Sequence, residues 1–215
     1  MKTLSKTDFS TYIARQLGHF FPDETVAPAA LEPAVGEALD RMGYCLARLR
    51  GKYFEQGRFD HLHTDQYAMF LYFVGRALFV RRDDPTLAAK LYALNKALHS
   101  LDAFYEVELP DVFLFSHPLG TILGRARYSN YFVVYQHCTV GSNLDGTYPT
   151  LGEGVAMYGG SAIIGDCTIG ANTALSYGTV IMEENVPGNS VVFGRSPSLI
   201  VKPSRRNVIE DRFKP

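Results

Sequence analysis

The sequence lacks tryptophan and has only three cysteines, Cys45, Cys138 and Cys167, in 215 residues. An odd number of widely spaced cysteines without a CxxC pair excludes a disulfide framework and a cysteine-based metal site. We therefore predict a reducing compartment, the cytoplasm. The first residues, MKTLSKTDF, contain no apolar core of a signal peptide, and the strongest apolar stretch, 70–80, is short and carries Arg76. Neither a signal peptide nor a membrane span is expected.

Charge of either sign is not in excess, since 21 Lys and Arg face 22 Asp and Glu. This balance excludes the broad basic surface that nucleic acid requires, and no run of charges favours an anionic membrane. With 47% apolar residues, the chain can bury a core that needs neither disulfides nor metal ions for stability.

Glycine is scarce in the first half of the chain: residues 1–116 hold 6 of the 19 glycines and residues 117–215 hold 13. We place a domain boundary near residue 110. Before it, apolar residues recur at steps of three and four, which predicts a bundle of about four helices. One helix start is clear at Asp84 and Pro85, where a capping acid precedes a proline at the first helical position.

A six-residue repeat occupies the second half. Every sixth residue is large and mostly apolar, and the residue four positions later is mostly small. The large series is Leu151, Met157, Ile163, Ile169, Leu175, Ile181, Pro187 and Phe193. An earlier register, Ile122, Tyr128, Val134 and Val140, is out of phase, so the segment 141–150 is predicted to be a loop that interrupts the repeat.

This period predicts a triangular coil. Each hexapeptide supplies one short strand and one corner, and three of them form a coil that stacks on the next by parallel backbone pairing. The large side chain fills the prism, while the small residue and glycine fit the tight corner. Cys138 and Cys167 fall at the small position, which predicts a packing role for both thiols.

Two segments carry a resemblance to a known family. FSHPLG at 115–120 is followed by VVYQHCTVG at 133–141, in which Gln136 lies nineteen residues after His117. They resemble the hexapeptide-repeat acyltransferases, and among these the serine acetyltransferases. The resemblance implies an α+β protein, with an N-terminal helical domain (1–110) and a left-handed parallel β-helix of hexapeptide repeats (111–202). The tail at 203–215 is polar, and this composition predicts a disordered C-terminal segment.

The resemblance places the family's catalytic histidine on His117, a general base that removes the acceptor's hydroxyl proton. The family's partner carboxylate lies fifteen residues earlier, at Asp102. Other acids in this interval remain alternatives for that role, namely Glu106, Glu108 and Asp111.

Taken without the family, a His-Pro pair before a strand is more often a structural turn. His137 is the rival base and also a candidate for the acceptor site.

The acceptor side departs from the family. Where serine acetyltransferases have an Arg-His-Pro segment that holds serine's carboxylate, this sequence has Gly146, Thr147, Tyr148 and Pro149. The obvious carboxylate partner is therefore missing. Arg125, or Arg127, could replace it, or the acceptor is another hydroxyl compound such as a sugar. Tyr148, Arg125 and His137 are the predicted acceptor residues.

The resemblance also implies acetyl-CoA as the acyl donor, with its pantetheine arm running along exposed corner backbone. The positions expected to contact it are Gly141, Ser142, Gly159, Gly160, Gly178, Arg195 and Lys202. No metal is expected: of the six histidines only His117 and His137 lie in the repeat, which argues against a zinc hydratase like γ-carbonic anhydrase.

The predicted function is thus CoA-dependent transfer of an acetyl group to the hydroxyl of a small acceptor. The alternatives are a sugar or polysaccharide-precursor O-acetyltransferase and a non-catalytic trimeric scaffold. Members of the family are trimers with active sites between subunits, so we expect a homotrimer or a dimer of trimers that binds neither nucleic acid nor membrane.

Overall fold

The computed structural model describes residues 4–54 and 58–215, which form a helical domain followed by a left-handed parallel β-helix of about five coils. The predicted fold class is confirmed. None of the helices in the described residues has the length and apolar character needed to cross a membrane.

Within the described residues, four helices precede the first strand. They are α1 (Lys6–Phe20), α2 (Pro28–Leu46), α3 (Thr64–Arg81) and α4 (Pro85–His99). Helix α1 begins with a capping box in which the Ser5 side chain accepts a hydrogen bond from the Asp8 backbone N–H. Helix α4 begins as predicted, with the Asp84 carboxylate accepting a bond from Leu87 N at 2.9 Å. Helix α3 packs against both α2 and α4, so it is buried on all sides from residue 65 to residue 75.

Three flat sheets form the sides of the triangular β-helix. The strands are β1 (Asp102–Ala103), β2 (Phe113–Phe115), β3 (Ile122–Leu123), β4 (Arg127–Tyr128), β5 (Phe132–Val134), β6 (Thr139–Gly141), β7 (Thr150–Leu151), β8 (Ala156–Met157), β9 (Ala162–Ile164), β10 (Thr168–Ile169), β11 (Thr173–Leu175), β12 (Val180–Met182), β13 (Ser190–Phe193) and β14 (Ile200–Pro203). The first side is β1-β3-β6-β9-β12, the second is β4-β7-β10, and the third is β2-β5-β8-β11-β13. Neighbours within each side pair in parallel, and β14 adds an antiparallel edge to β13.

The hexapeptide spacing predicts the inward column correctly from Leu151 to Ile181, because each large residue of the series is buried there. It is wrong at the next two positions: Pro187 and Phe193 face outward, and Val186 and Val192 fill the prism instead. The corner after β12 is one residue shorter than the repeat, so the inward register shifts by one.

The earlier register also contains one error. Ile122 is exposed, and its neighbour Leu123 is the buried residue of β3.

The C-terminal segment is ordered, which corrects the prediction of a disordered tail at 203–215. A short helix, α5 (Val208–Arg212), precedes Phe213, whose side chain is fully buried. Backbone bonds then join the segment to the helical domain, with Arg50 N donating to Arg212 O at 2.8 Å and Phe213 forming a bridge with Leu49. The polar composition of the tail conceals this single aromatic anchor, which ties the end of the chain to both domains.

Truncation of the anchor tests this docking. Phe213→Ala should lower the free energy of unfolding by about 3 kcal/mol, because it removes a buried aromatic ring and leaves a cavity. The measurement is urea denaturation followed by circular dichroism. Phe20→Ala, which truncates a ring that is 43% exposed, is the matched control and should cost much less. Equal losses in the two variants would contradict the docked tail.

All three cysteines are free thiols buried in the fold. Burial raises the pKa of Cys45 to about 11 and raises the pKa of Cys138 and Cys167 as well. The Cys138 thiol donates to the backbone oxygen of Tyr158 at 3.4 Å, and the Cys45 thiol donates to that of Phe113 at 3.3 Å. Burial of Cys138 and Cys167 agrees with the packing role predicted from their position in the repeat, and Cys45 is buried in helix α2.

The raised pKa values predict slow thiol chemistry. A pH of 8 is below the pKa of each buried thiol, so the thiols stay protonated. The native chain should therefore react with a disulfide reagent such as Ellman's reagent far more slowly than the denatured chain. Three equivalents should react quickly in denaturant. Rapid reaction of any native thiol at pH 8 would contradict this protonated, buried state.

Candidate active site

One corner of the β-helix, between the third and first sides, carries the predicted base. Parallel pairing joins Phe115 to Val134, Val134 to Met157 and Met157 to Leu175. The residues two positions after these occupy successive levels of the same corner. In order from the first coil they are His117, Gln136, Gly159 and Tyr177.

His117 projects outward from this corner, and its side chain is 76% exposed. Its backbone has a φ of 51°, a left-handed conformation that costs a non-glycine residue about 1–2 kcal/mol. Two backbone hydrogen bonds hold the turn: His117 N donates to the Asp65 carboxylate at 3.0 Å, and Leu119 N donates to His117 O at 2.8 Å. Held backbone strain of this kind is common where a side chain must be aimed at a ligand.

Asp65, in the first turn of α3, contacts His117, and the sequence did not reveal this contact. Its Oδ2 atom lies 3.8 Å from His117 Nδ1, and its side chain is 12% exposed. The two residues are 52 positions apart and belong to different domains. No spacing in the sequence signals this contact, although Asp65 does follow an evident helix start at Thr64.

Asp102, the acid that the resemblance pairs with His117, makes its side-chain hydrogen bonds to other residues. Its Oδ2 accepts a hydrogen bond from Lys96 Nζ at 2.6 Å and its Oδ1 accepts one from the Tyr92 hydroxyl at 2.8 Å. This carboxylate also raises the pKa of the Lys96 ammonium. Asp102 therefore joins the end of α4 to strand β1, and the structure brings Asp65 to His117 in its place.

His137 lies at the same corner but in a neighbouring column. The corresponding residues of the other coils are Gly120, Gly160 and Gly178, and all four have a positive φ. The His137 imidazole covers Gly120, where an added Cβ would lie 2.5 Å from His137 Nδ1. His137 thus replaces glycine in a left-handed column and closes the corner beside His117.

Arg125 and Tyr148 lie near the next corner, between the first and second sides. The Arg125 guanidinium is paired with the Glu106 carboxylate at 2.5 Å. The Tyr148 ring packs on Gly124, where an added Cβ would lie 2.6 Å from Tyr148 Cε1. Within one chain, this pair lies at a different corner from His117, and Arg125 already has a carboxylate partner.

A groove of about 390 Å³ extends along the His117 corner, and we call it the corner groove. Its walls include Gln136, Gly159 and Tyr177, one, two and three levels beyond His117. Tyr135 and Tyr158, which directly follow β5 and β8, also line this groove, and their rings stack with centroids 5.0 Å apart. The corner groove therefore begins one level beyond the base and runs parallel to the axis.

A second groove of about 790 Å³ continues from the first, and we call it the tail groove. The two share Tyr158, Ala174 and Val191. Its far wall is the C-terminal segment, which contributes three cations, Lys202, Arg205 and Arg206, and one carboxylate, Asp211, which pairs with Arg206 at 3.3 Å. Together the grooves form a path that is aromatic near His117 and basic at its far end.

The predicted donor residues are distributed over two corners. Gly159 lines the corner groove and Lys202 the tail groove, while Gly160 and Gly178 follow at the same corner. Gly141 ends β6 and Ser142 follows it, at the corner that carries the interrupting loop.

Arg195 is exposed and lies outside both grooves, where its backbone pairs with Val180.

No protein-family model matches the sequence. A serine acetyltransferase of Synechococcus elongatus is 25% identical over 114 residues, which cover 51% of this chain and 46% of the relative. The match therefore spans about half the length of that curated relative.

Solved structures give the fold over almost the whole chain. The crystal structure of the Neisseria gonorrhoeae serine acetyltransferase has a TM-score of 0.75 at 18% identity and covers 97% of this chain and 83% of its own. A serine acetyltransferase in complex with CoA has a TM-score of 0.71 at 16% identity, covering 93% and 86%. The chain thus resembles the serine acetyltransferases, with the same hexapeptide-repeat fold throughout and a detectable sequence similarity over about half of its length.

Proposed function

We propose that this protein is a CoA-dependent O-acetyltransferase that transfers an acetyl group to the hydroxyl of a small acceptor, with serine as the leading acceptor and His117 as the general base. The observation that carries the proposal is the position of His117. An exposed imidazole lies at one end of a path that is aromatic beside it and basic at the far end. That order matches the order of parts in an acyl-CoA, from thioester to phosphates.

The chemistry requires one proton acceptor beside the reacting carbonyl. His117 Nε2 takes the proton of the acceptor's hydroxyl as its oxygen attacks the thioester carbon, and the C–S bond then breaks. The imidazolium returns the proton to the departing thiolate, so the enzyme ends the cycle unchanged. A base of this kind contributes about 10²–10⁴-fold to the rate.

The donor path fits CoA by chemistry. Lys202 and Arg205 would pair with its phosphates, and Arg206 would join them by exchanging Asp211 for a phosphate. The corner with Gly159, Gly160 and Gly178 presents backbone to the pantetheine arm. Complex formation of a structurally similar serine acetyltransferase with CoA supports this donor. Gly141 and Ser142 would contact the donor bound to an adjacent copy.

The acceptor is proposed from the relatives and from the loop at 141–150. Serine is the acceptor named for the similar proteins. In this chain Arg125 is occupied by Glu106, so an acceptor carboxylate would have to displace that pair or bind elsewhere. This occupied guanidinium keeps a sugar hydroxyl as the second candidate, with His137 and Tyr148 as contacts in either case.

A homotrimer follows from the division of the site between corners. The base and the grooves lie at one corner, whereas Gly141, Ser142, Tyr148 and Arg125 lie at another, so no single chain assembles all of them. Three copies packed side by side would bring unlike corners together. A reducing cytoplasm fits both the free thiols and the proposed donor.

Removal of the base tests the function directly. His117→Ala should lower kcat/KM about 10²–10⁴-fold in a thiol-release assay with acetyl-CoA against L-serine, homoserine, free sugars and nucleotide sugars. His137→Gly is the comparison variant, because glycine occupies that column in the other coils. It removes a proposed acceptor contact, so it should raise the KM for the acceptor while lowering kcat far less than His117→Ala does.

A large loss for His137→Gly alone would move the base to His137. Turnover with a sugar but not with serine would identify the alternative acceptor class. If acetyl-CoA reacts with no acceptor and does not raise the melting temperature, the donor assignment is contradicted. The non-catalytic trimeric scaffold would then be favoured.

A cation at the far end tests the donor path. Lys202→Ala should raise the KM for acetyl-CoA about tenfold with little change in kcat, because a phosphate contact is made equally in the ground and transition states. The KM is measured at saturating acceptor. Arg195→Ala removes a nearby cation outside the grooves and should have a smaller effect; the opposite ranking would place the phosphates on the Arg195 side.

A further inference from the structure

A buried carboxylate from the helical domain reaches the proposed base. Asp65 Oδ2 accepts the His117 backbone N–H at 3.0 Å and lies 3.8 Å from Nδ1 of the same residue. The Asp65 side chain is 12% exposed, so little water screens its charge. A single oxygen atom therefore faces both the strained turn and the ring that the turn presents.

We propose that Asp65, and not the acid one coil earlier, is the positioning carboxylate of His117; the inference rests on the proposed function of this site. A carboxylate beside Nδ1 keeps the proton on that nitrogen and leaves the Nε2 lone pair free to face solvent. It also stabilises the imidazolium that forms when His117 takes a proton. The separation of 3.8 Å exceeds a hydrogen bond, and such contacts tighten when substrate binds.

The other acids that the sequence offers are engaged elsewhere. Asp102 binds Lys96, Glu106 pairs with Arg125, Glu108 lies 3.8 Å from Arg76, and Asp111 lies 3.6 Å from Arg41. These pairs direct all four carboxylates towards other partners. Asp65 is the acid whose contacts are with His117.

The groups around Asp65 leave its charge available to His117. His99 of α4 is close enough to feel this carboxylate, but burial lowers the pKa of the His99 imidazole, so His99 is neutral at pH 7. His137 lies at the same corner in the neighbouring column, with its ring against Gly120.

This contact makes the helical domain part of the catalytic apparatus. The base is supplied by the β-helix and its orientation by α3, so the geometry of the pair depends on how the two domains pack. Displacement of α3 by even about 1 Å would separate the two groups and lower the rate.

The experiment measures the tautomer of His117, which needs no turnover. Nitrogen-15 NMR of the histidine rings at pH 8, with His117 assigned by its loss in His117→Ala, reports which nitrogen carries the proton. We expect the Nδ1–H form to predominate in the parent and to fall in Asp65→Asn, which retains an oxygen that can accept the His117 N–H. Asp102→Asn should leave the tautomer as in the parent. An unchanged tautomer in Asp65→Asn, or a change in Asp102→Asn alone, would overturn the proposal.

Kinetic measurements distinguish a failure of the Asp65 proposal from a failure of the proposed function. Asp65→Asn should lower kcat at least about tenfold, with the KM values for both substrates within about twofold of the parent's, and should add no further loss in the His117→Ala background. Additive losses would show that Asp65 acts independently of His117. Full activity of His117→Ala would refute the proposed base, while the tautomer measurement would still decide whether Asp65 orients the ring.

Discussion

Parallel pairing of each coil with the next is the constraint on which this structure depends. Because the pairing is in register, residues at equivalent positions form columns along the axis. Inward columns hold large apolar side chains in contact with one another. Columns at the corners place outward-facing residues in a line along the axis. A small set of backbone hydrogen bonds therefore sets both the core and the spacing of the candidate site, whose levels are one coil apart.

The helical bundle adds a rigid reference at one end of this column. Helix α3 packs against α2, α4 and strand β2, and its buried residues begin at Asp65. The position of Asp65 therefore depends on the packing of the helical domain. The C-terminal segment closes the same junction from the other side, since Phe213 reaches Leu49 after the chain has completed the coils. The proposed base, its proposed partner acid and the two grooves thus come from three parts of the chain that meet only after folding.

The repeat made most of the β-helix predictable, because a buried apolar residue recurs every six positions and this spacing is visible in the sequence. The prediction failed at Val186, where a corner shortened by one residue shifts the register without changing the composition. Asp65 could not be found in this way, since its contact with His117 depends on the packing of two domains and not on a spacing. The tail was misjudged for a related reason: its polar residues outnumber Phe213, and one buried ring outweighs them in free energy.

The loop at 141–150 has a consequence for which changes this fold tolerates. It enters at a corner, and the strands on either side still pair in parallel with their neighbours, β6 with β9 and β7 with β10. Extra length at a corner is therefore absorbed without disturbing any column. A change of length or sequence in this insertion would therefore leave the His117 corner and the two grooves in place.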